Sequence, residues 1–171
     1  MEYRQFGKTD LKVSAIGFGC WEIGGTYGRI DETQFRRAVQ QAIDSGITCF
    51  DTAEAYGMGV SEQALAPALG GRRQEVSIVT KYGVGYDEMP GRRDSSQGRV
   101  MASIEKSLQR LQTDHVDVYL VHWPDPSTPF DETIRALDDI VRQGKARYIG
   151  LSNLMSWQAA TAVMLQERLG L

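Results

Sequence analysis

The sequence predicts an α/β fold with a parallel sheet, and three observations carry that prediction. Short apolar runs alternate strictly with segments of helical period, giving five βα units. No shift of composition along the chain marks a linker, so the units belong to one domain, residues 1–171. Short strands separated by helices must pair through crossover connections, which makes them parallel and right-handed.

The first apolar run is Val13-Ser-Ala-Ile-Gly-Phe-Gly19. Asp31 then stands as an N-cap with Gln34 three residues on, in the manner of a capping box. Phe35, Ala38, Val39, Ala42 and Ile43 follow at the spacing of one apolar helical face, and Gly46 supplies the residue that ends it. The second strand runs from Ile47 to Phe50 and the third from Glu75 to Thr80. Between them Ser61–Leu69 reads as a helix that Pro67 kinks or shortens. A polar loop rich in Gly and Arg, Tyr82–Gln97, leads to a helix with Val100, Ile104, Leu108 and Leu111 on one face. Val116–Val121 is the fourth strand. Asp131 caps the next helix, which turns Ile134, Leu137, Ile140 and Val141 inward and stops at Gly144. Ala146–Leu151 is the fifth strand, and a last helix spans about Ser156 to Arg168.

Two architectures fit five such units: an open doubly wound sheet, or part of a (β/α)8 barrel. Both gather functional groups at the carboxyl ends of the strands. Composition narrows the function. A net charge of −3 leaves no electrostatic footprint for nucleic acid. No apolar run is long enough for a membrane span, and the N-terminus lacks the apolar stretch of a signal peptide. The two cysteines, Cys20 and Cys49, lie in or just after apolar strands without CxxC spacing. They read as reduced thiols of a cytoplasmic protein.

Gly17-Phe-Gly19 invites a dinucleotide-fold reading, but the spacing argues against it. The third glycine of that fingerprint would fall where Glu22 stands, and the next helix starts only at Asp31. Gly7-Lys8-Thr9 resembles the end of a phosphate-binding loop, but Glu2 stands where the pattern needs glycine. A metal-dependent hydrolase would need several His and carboxylate ligands at strand ends; His115 and His122 are the only histidines, and His115 precedes its strand. No metal site is expected.

Four polar residues remain. Asp51 ends the second strand, Tyr56 lies just beyond it, Lys81 ends the third and His122 ends the fourth. Singly, each has an ordinary explanation: a turn former, a packed ring, a solvated strand end, a hydrogen-bonding imidazole. Together, on the face where such sheets place their sites, they form a proton relay to a carbonyl oxygen.

With those residues in hand the chain resembles an aldo/keto reductase. The matching stretches are Asp51-Thr-Ala-Glu-Ala-Tyr-Gly57, Val79-Thr-Lys81, Val118-Tyr-Leu-Val-His122-Trp-Pro-Asp125 and Gly144-Lys-Ala-Arg-Tyr-Ile-Gly-Leu-Ser-Asn153. The resemblance implies a (β/α)8 TIM barrel, here a partial one of about five βα units, preceded by a short β-hairpin made of Tyr3–Gln5 and Lys12–Ser14. It maps the family's catalytic tetrad onto Asp51, Tyr56, Lys81 and His122. It places Ser152 and Asn153 against a nicotinamide carboxamide, Gly19, Cys20 and Trp21 where cofactor and substrate meet, and Asp51 beside the cofactor as well as in the tetrad. The implied cofactor is NADPH, with NADH not excluded, and the implied substrate is a small aldehyde or ketone.

Hydride arriving at a carbonyl carbon leaves charge on the oxygen, so a proton donor must stand near. Tyr56 is that donor. An ammonium ~4 Å from a phenolic oxygen, at an effective dielectric of ~20, stabilises the developing phenolate by about 4 kcal/mol. Lys81 supplies it, Asp51 orients Lys81, and His122 sets the angle of the carbonyl. Eight βα units need about 250 residues, so the chain is expected to be C-terminally truncated relative to a closed barrel. Two expectations follow. Activity of the chain alone is weak, with self-association through the open strand edges and through an inner face formed by residues such as Ile16, Phe18, Val118 and Leu120. The alternative is a non-catalytic fragment that serves as a binding or interaction module.

Overall fold

The computed structural model describes residues 1–25, 28, 31–84 and 92–170. An antiparallel hairpin, β1 (Tyr3–Gln5) with β2 (Lys12–Ser14), precedes a five-stranded sheet. The strands of that sheet are β3 (Gly17–Gly19), β4 (Cys49–Asp51), β5 (Ser77–Tyr82), β6 (Val116–Val121) and β7 (Ala146–Leu151). Helices α1 (Glu32–Asp44), α2 (Val60–Leu69), α3 (Gln97–Leu111) and α4 (Phe130–Arg142) connect them, and α5 (Ser156–Leu169) follows β7.

Strand order decides between the two architectures. All neighbours are parallel and lie in the order β3-β4-β5-β6-β7, so spatial and chain order never diverge. A doubly wound sheet reverses its order at a switch point; a barrel segment does not. This is an α/β fold with the winding of a partial (β/α)8 barrel.

Because side chains alternate along a strand, the sheet has two unlike faces. The outer face packs Phe50, Ile78, Tyr119 and Val121 against Val39, Leu65, Ile104 and Leu137 of the helices. The inner face is smaller: Val79 and Val118, with Cys49, Leu120 and Tyr148 beside them. Leu11 and Val13 of the hairpin fill its lower end. The hairpin is therefore a floor under the inner face, and the carboxyl ends of the strands are left open.

Local signals hold where the backbone chemistry is specific. Asp31 caps α1, its carboxylate accepting from the Gln34 N–H at 2.9 Å, and Gly46 (φ 86°) turns the chain out of the helix. Four expectations need correction. The first apolar run is not one strand: Lys12–Ser14 pairs in the hairpin, as the resemblance implied, and only Gly17–Gly19 enters the sheet. Phe18, expected on the inner face, stacks outward on Phe35 and Phe50 at 6.2 and 5.4 Å, while Ile16 is exposed. The third strand starts later, at Ser77, because Arg73–Glu75 forms a 3-10 turn, and it runs on to Tyr82. Pro129, not Asp131, is the N-cap of α4, so Asp131 lies in the first turn. Pro67 lies inside α2, where two more residues complete the helix before Gly70 (φ 58°) ends it. The expected polar loop lies partly outside the described residues, at 85–91. Its ends are joined by a bridge between Val84 and Arg93.

Candidate active site

Register and alternation bring the four polar residues together. Asp51 pairs with Val79 across β4 and β5, and Lys81 lies two positions further on the same inner face. Beyond β4 the chain stays tied to β5, with Thr52 N–H donating to the Val79 carbonyl at 2.8 Å and Glu54 N–H to that of Lys81 at 3.1 Å. Tyr56 is thereby carried back over the end of β5.

Lys81 is nearly buried, and its ammonium makes three contacts: Asp51 Oδ1 at 2.6 Å, the Thr52 carbonyl at 2.9 Å and the Tyr56 hydroxyl oxygen at 3.0 Å. An ammonium has three protons and no lone pair. All three are committed here, so the Tyr56 oxygen accepts and its own proton remains to be donated elsewhere. Asp51 is partly exposed, with 42% of its side chain open to solvent.

His122 follows β6 and meets the Tyr56 ring edge-on, centroids 5.7 Å apart. Burial, aided by the Lys81 charge, pushes its pKa down to about 4, so the imidazole is neutral. Its Nδ1 is buried without a hydrogen-bond partner among the described residues. At the end of β7, Asn153 adopts a left-handed backbone (φ 57°), and its Nδ2 donates to the His122 carbonyl at 2.7 Å and to Ser152 Oγ at 3.1 Å. Ser152 and Asn153 therefore sit beside the imidazole. On the other side, the Trp21 ring lies 6.1 Å from that of Tyr56 and is about half exposed.

The Gly19–Trp21 stretch divides. Gly19 pairs with Asp51 and has open space where a Cβ would stand. The Cys20 thiol is buried in the core under the helices, and burial raises its pKa far above a free thiol's. Its backbone is also committed, N–H to the Asp51 carbonyl at 2.9 Å and carbonyl to Ser61 Oγ at 2.7 Å. Of these three residues, Trp21 is the one that offers a side chain at the mouth.

Some supporting groups were not singled out from the sequence. Glu54 is buried, and its Oε1 accepts from the Gly83 N–H at 2.9 Å and Arg99 Nη2 at 2.8 Å, tying the Tyr56 loop to the chain after β5. Burial raises its pKa, against the pull of Arg99. Glu62, also buried, accepts from Thr80 Oγ1 at 2.6 Å and Arg110 Nη1 at 3.0 Å. A carboxylate three residues past a catalytic-type Asp was the available signal for Glu54; its partner lies 45 positions away and carries none.

The residues at the mouth suit a nicotinamide ring: a neutral imidazole with a buried nitrogen that has no partner among the described residues, an amide and a hydroxyl beside it, and a phenol whose oxygen accepts from Lys81. Among the described residues no group of three or more His, Cys, Asp or Glu is placed to hold a metal ion, and no helix is long and apolar enough to cross a membrane.

A model of the aldo/keto reductase family matches residues 15–170. The chain is 40% identical over 164 residues to the aldo-keto reductase YhdN of Bacillus subtilis (strain 168), a match covering 94% of this chain and 50% of that protein. Among solved structures, the holo form of aldo-keto reductase AKR11C1 from Bacillus halodurans superposes with a TM-score of 0.82 at 38% identity, covering 90% of this chain and 51% of that one. The glycerol dehydrogenase AKR11B4 from Gluconobacter oxydans gives 0.84 at 34% identity, covering 95% and 52%. The chain thus spans about half the length of these relatives.

Proposed function

The chain belongs to the aldo/keto reductase family, and on that premise we propose that it takes part in NAD(P)H-dependent reduction of aldehydes or ketones to alcohols, with Tyr56 as the general acid. The observation that carries this reading is the Lys81 ammonium, whose three protons are all committed, one of them to the Tyr56 oxygen. A bound nicotinamide nucleotide, NADPH or else NADH, supplies the hydride. Ser152 and Asn153 would hold its carboxamide, and Gly19, the backbone of Cys20 and the ring of Trp21 would border it.

The side chains do the rest. As charge grows on the carbonyl oxygen, Tyr56 releases its proton to it, and the bond from phenolic oxygen to hydrogen breaks as the new alcohol O–H forms. Lys81 stabilises the phenolate left behind, at 3.0 Å from the oxygen. Asp51 holds Lys81 by its ion pair. His122, neutral because its pKa is about 4, donates an N–H to the carbonyl oxygen and fixes its angle. The low pKa keeps the imidazole from competing with Tyr56 as the proton source.

The outer edges of β3 and β7 have no strand partner among the described residues. We propose that they are sites of self-association, and that one closed domain around this sheet is the active form. The free thiols Cys20 and Cys49 suit a reducing compartment, hence a cytoplasmic protein.

The test follows nucleotide oxidation with a panel of aldehydes and ketones, using residues 1–171 alone and complemented by the C-terminal half of the Bacillus subtilis relative. The complemented protein turns over carbonyls with NADPH or NADH, and the chain alone is slow and runs larger than a monomer in light scattering. No turnover in either form would reject the reading.

A further inference from the structure

The turn that carries Trp21 meets the turn that carries Tyr56 backbone to backbone. Glu22–Gly24 forms a single 3-10 turn, closed by Gly24 N–H to the Trp21 carbonyl at 2.9 Å and Gly25 N–H to that of Glu22 at 3.0 Å. Its last residue lies directly against Gly57. A Cβ built on Gly24 would stand 2.7 Å from Gly57 N and 2.8 Å from the Tyr56 carbonyl carbon. A Cβ built on Gly57 would stand 2.6 Å from both Cα and O of Gly24. The contact is reciprocal, and both sides of it are backbone, which cannot swing aside as a side chain can.

Three further ties converge on it. Ser61 N–H donates to the Tyr56 carbonyl at 3.1 Å. Ser61 Oγ donates to the carbonyl of Cys20, immediately before Trp21, at 2.7 Å, and shares a 2.7 Å bond with Thr52 Oγ1. The rings of Trp21 and Tyr56 face each other across the same junction. The segment holding the acid therefore cannot shift away from β5 or toward it without moving the Trp21 turn. Gly57 needs glycine for its conformation as well, at φ 63°. Gly24 has no such need, so its lack of a side chain serves the contact alone.

We propose that Gly24 is a positioning residue for Tyr56: its bare Cα against Gly57 fixes the distance of the phenolic oxygen from the Lys81 ammonium and makes the Trp21 turn and the acid one rigid unit. The role of Tyr56 as acid is the reading given above; the position of Tyr56 can be tested without it.

The direct test labels the tyrosine ring carbon that bears the hydroxyl with carbon-13 in the full chain, and identifies the Tyr56 signal by its loss in Tyr56→Phe. Lys81→Met gives the shift of a phenol without its ammonium. In Gly24→Ala the Tyr56 signal moves toward the Lys81→Met value, while signals of the distant Tyr3 and Tyr148 stay put. An unmoved Tyr56 signal in a folded Gly24→Ala protein overturns the proposal. Should Gly24→Ala fail to fold, Ser61→Ala decides: it leaves the Gly24–Gly57 contact intact, so the Tyr56 signal stays at its wild-type position, and a signal that moved to the Lys81→Met value would overturn the proposal by assigning the position to the Ser61 hydroxyl.

A kinetic cycle in the complemented enzyme gives an independent readout. Gly24→Ala lowers kcat roughly tenfold with nucleotide affinity within about twofold, since sub-ångström misplacement of a reacting group is costly. In a Tyr56→Phe background the same change has no further effect on kcat, because it acts through the lost hydroxyl. Additive losses would show that Gly24 acts otherwise. Absence of turnover in the complemented wild type would count against Tyr56 as acid, and the carbon-13 signal would still decide on Gly24.

Discussion

The two ends of the sheet handle charge in opposite ways. At the floor, Asp117 is buried and answered on every side: Arg73 Nη2 at 2.9 Å, Arg147 Nη1 at 3.1 Å and the Ile78 N–H at 2.9 Å. Arg147 reaches on to Asp10 of the hairpin turn at 3.0 Å, and Tyr148 donates to the same carboxylate at 2.7 Å. At the mouth, the Lys81 ammonium is as fully engaged, but one of its protons goes to a phenolic oxygen, and the buried His122 Nδ1 has no hydrogen-bond partner among the described residues. A network in which each charge has its counter-charge fixes structure; one that leaves a proton and a lone pair uncommitted is ready for chemistry.

If that contrast is right, the floor bears stability and the mouth bears turnover. Asp117→Leu should have the largest effect, about 3–5 kcal/mol of stability, since it strands Arg73 beside a buried face. Urea denaturation of the folded chain measures it, and a loss under about 1 kcal/mol would mean that the floor is not a structural network.

The pH dependence of stability should trace to the mouth. His122 titrates near 4 when folded and near 6.5 when unfolded, so the unfolded chain takes the proton first. The His122 contribution to stability is whole above about pH 6.5, falls as pH drops and levels off below about 4. His122→Asn should flatten that part of the curve, and denaturation midpoints compared across the window would show it. A curve that keeps its full slope in His122→Asn would place the titrating group elsewhere.

Arg147→Ala should have the smallest effect, about 1 kcal/mol, because its side chain is partly solvated and Arg73 remains on Asp117. A larger loss would mean that the hairpin is anchored mainly through Asp10.

The sequence made the mouth more legible than the route to it. Asp51, Lys81 and His122 could be found because strand ends are signalled locally and alternation then sets which side chains share a face. Phe18 was misplaced because glycines flank it: with no side chain at Gly17 or Gly19, the run has no alternation to reveal its phase. The divided first run, the Glu54–Arg99 pair and the Gly24–Gly57 contact all depend on chain segments that meet only after folding. Nothing in the local pattern around Gly24 distinguishes it from Gly25, whose φ of 87° is an ordinary helix-ending turn. Monotonic strand order was also beyond periodicity alone, which left two architectures open.

The most direct measurement is kcat of Tyr56→Phe in the complemented enzyme, beside its nucleotide affinity and melting temperature. The substitution removes one oxygen and its proton and keeps the ring that packs on Trp21 and His122. With Tyr56 as the acid, kcat falls at least ~10²-fold with nucleotide binding nearly unchanged. A Tyr56→Phe enzyme that kept most of its turnover would contradict it, because the proton would then come from another group.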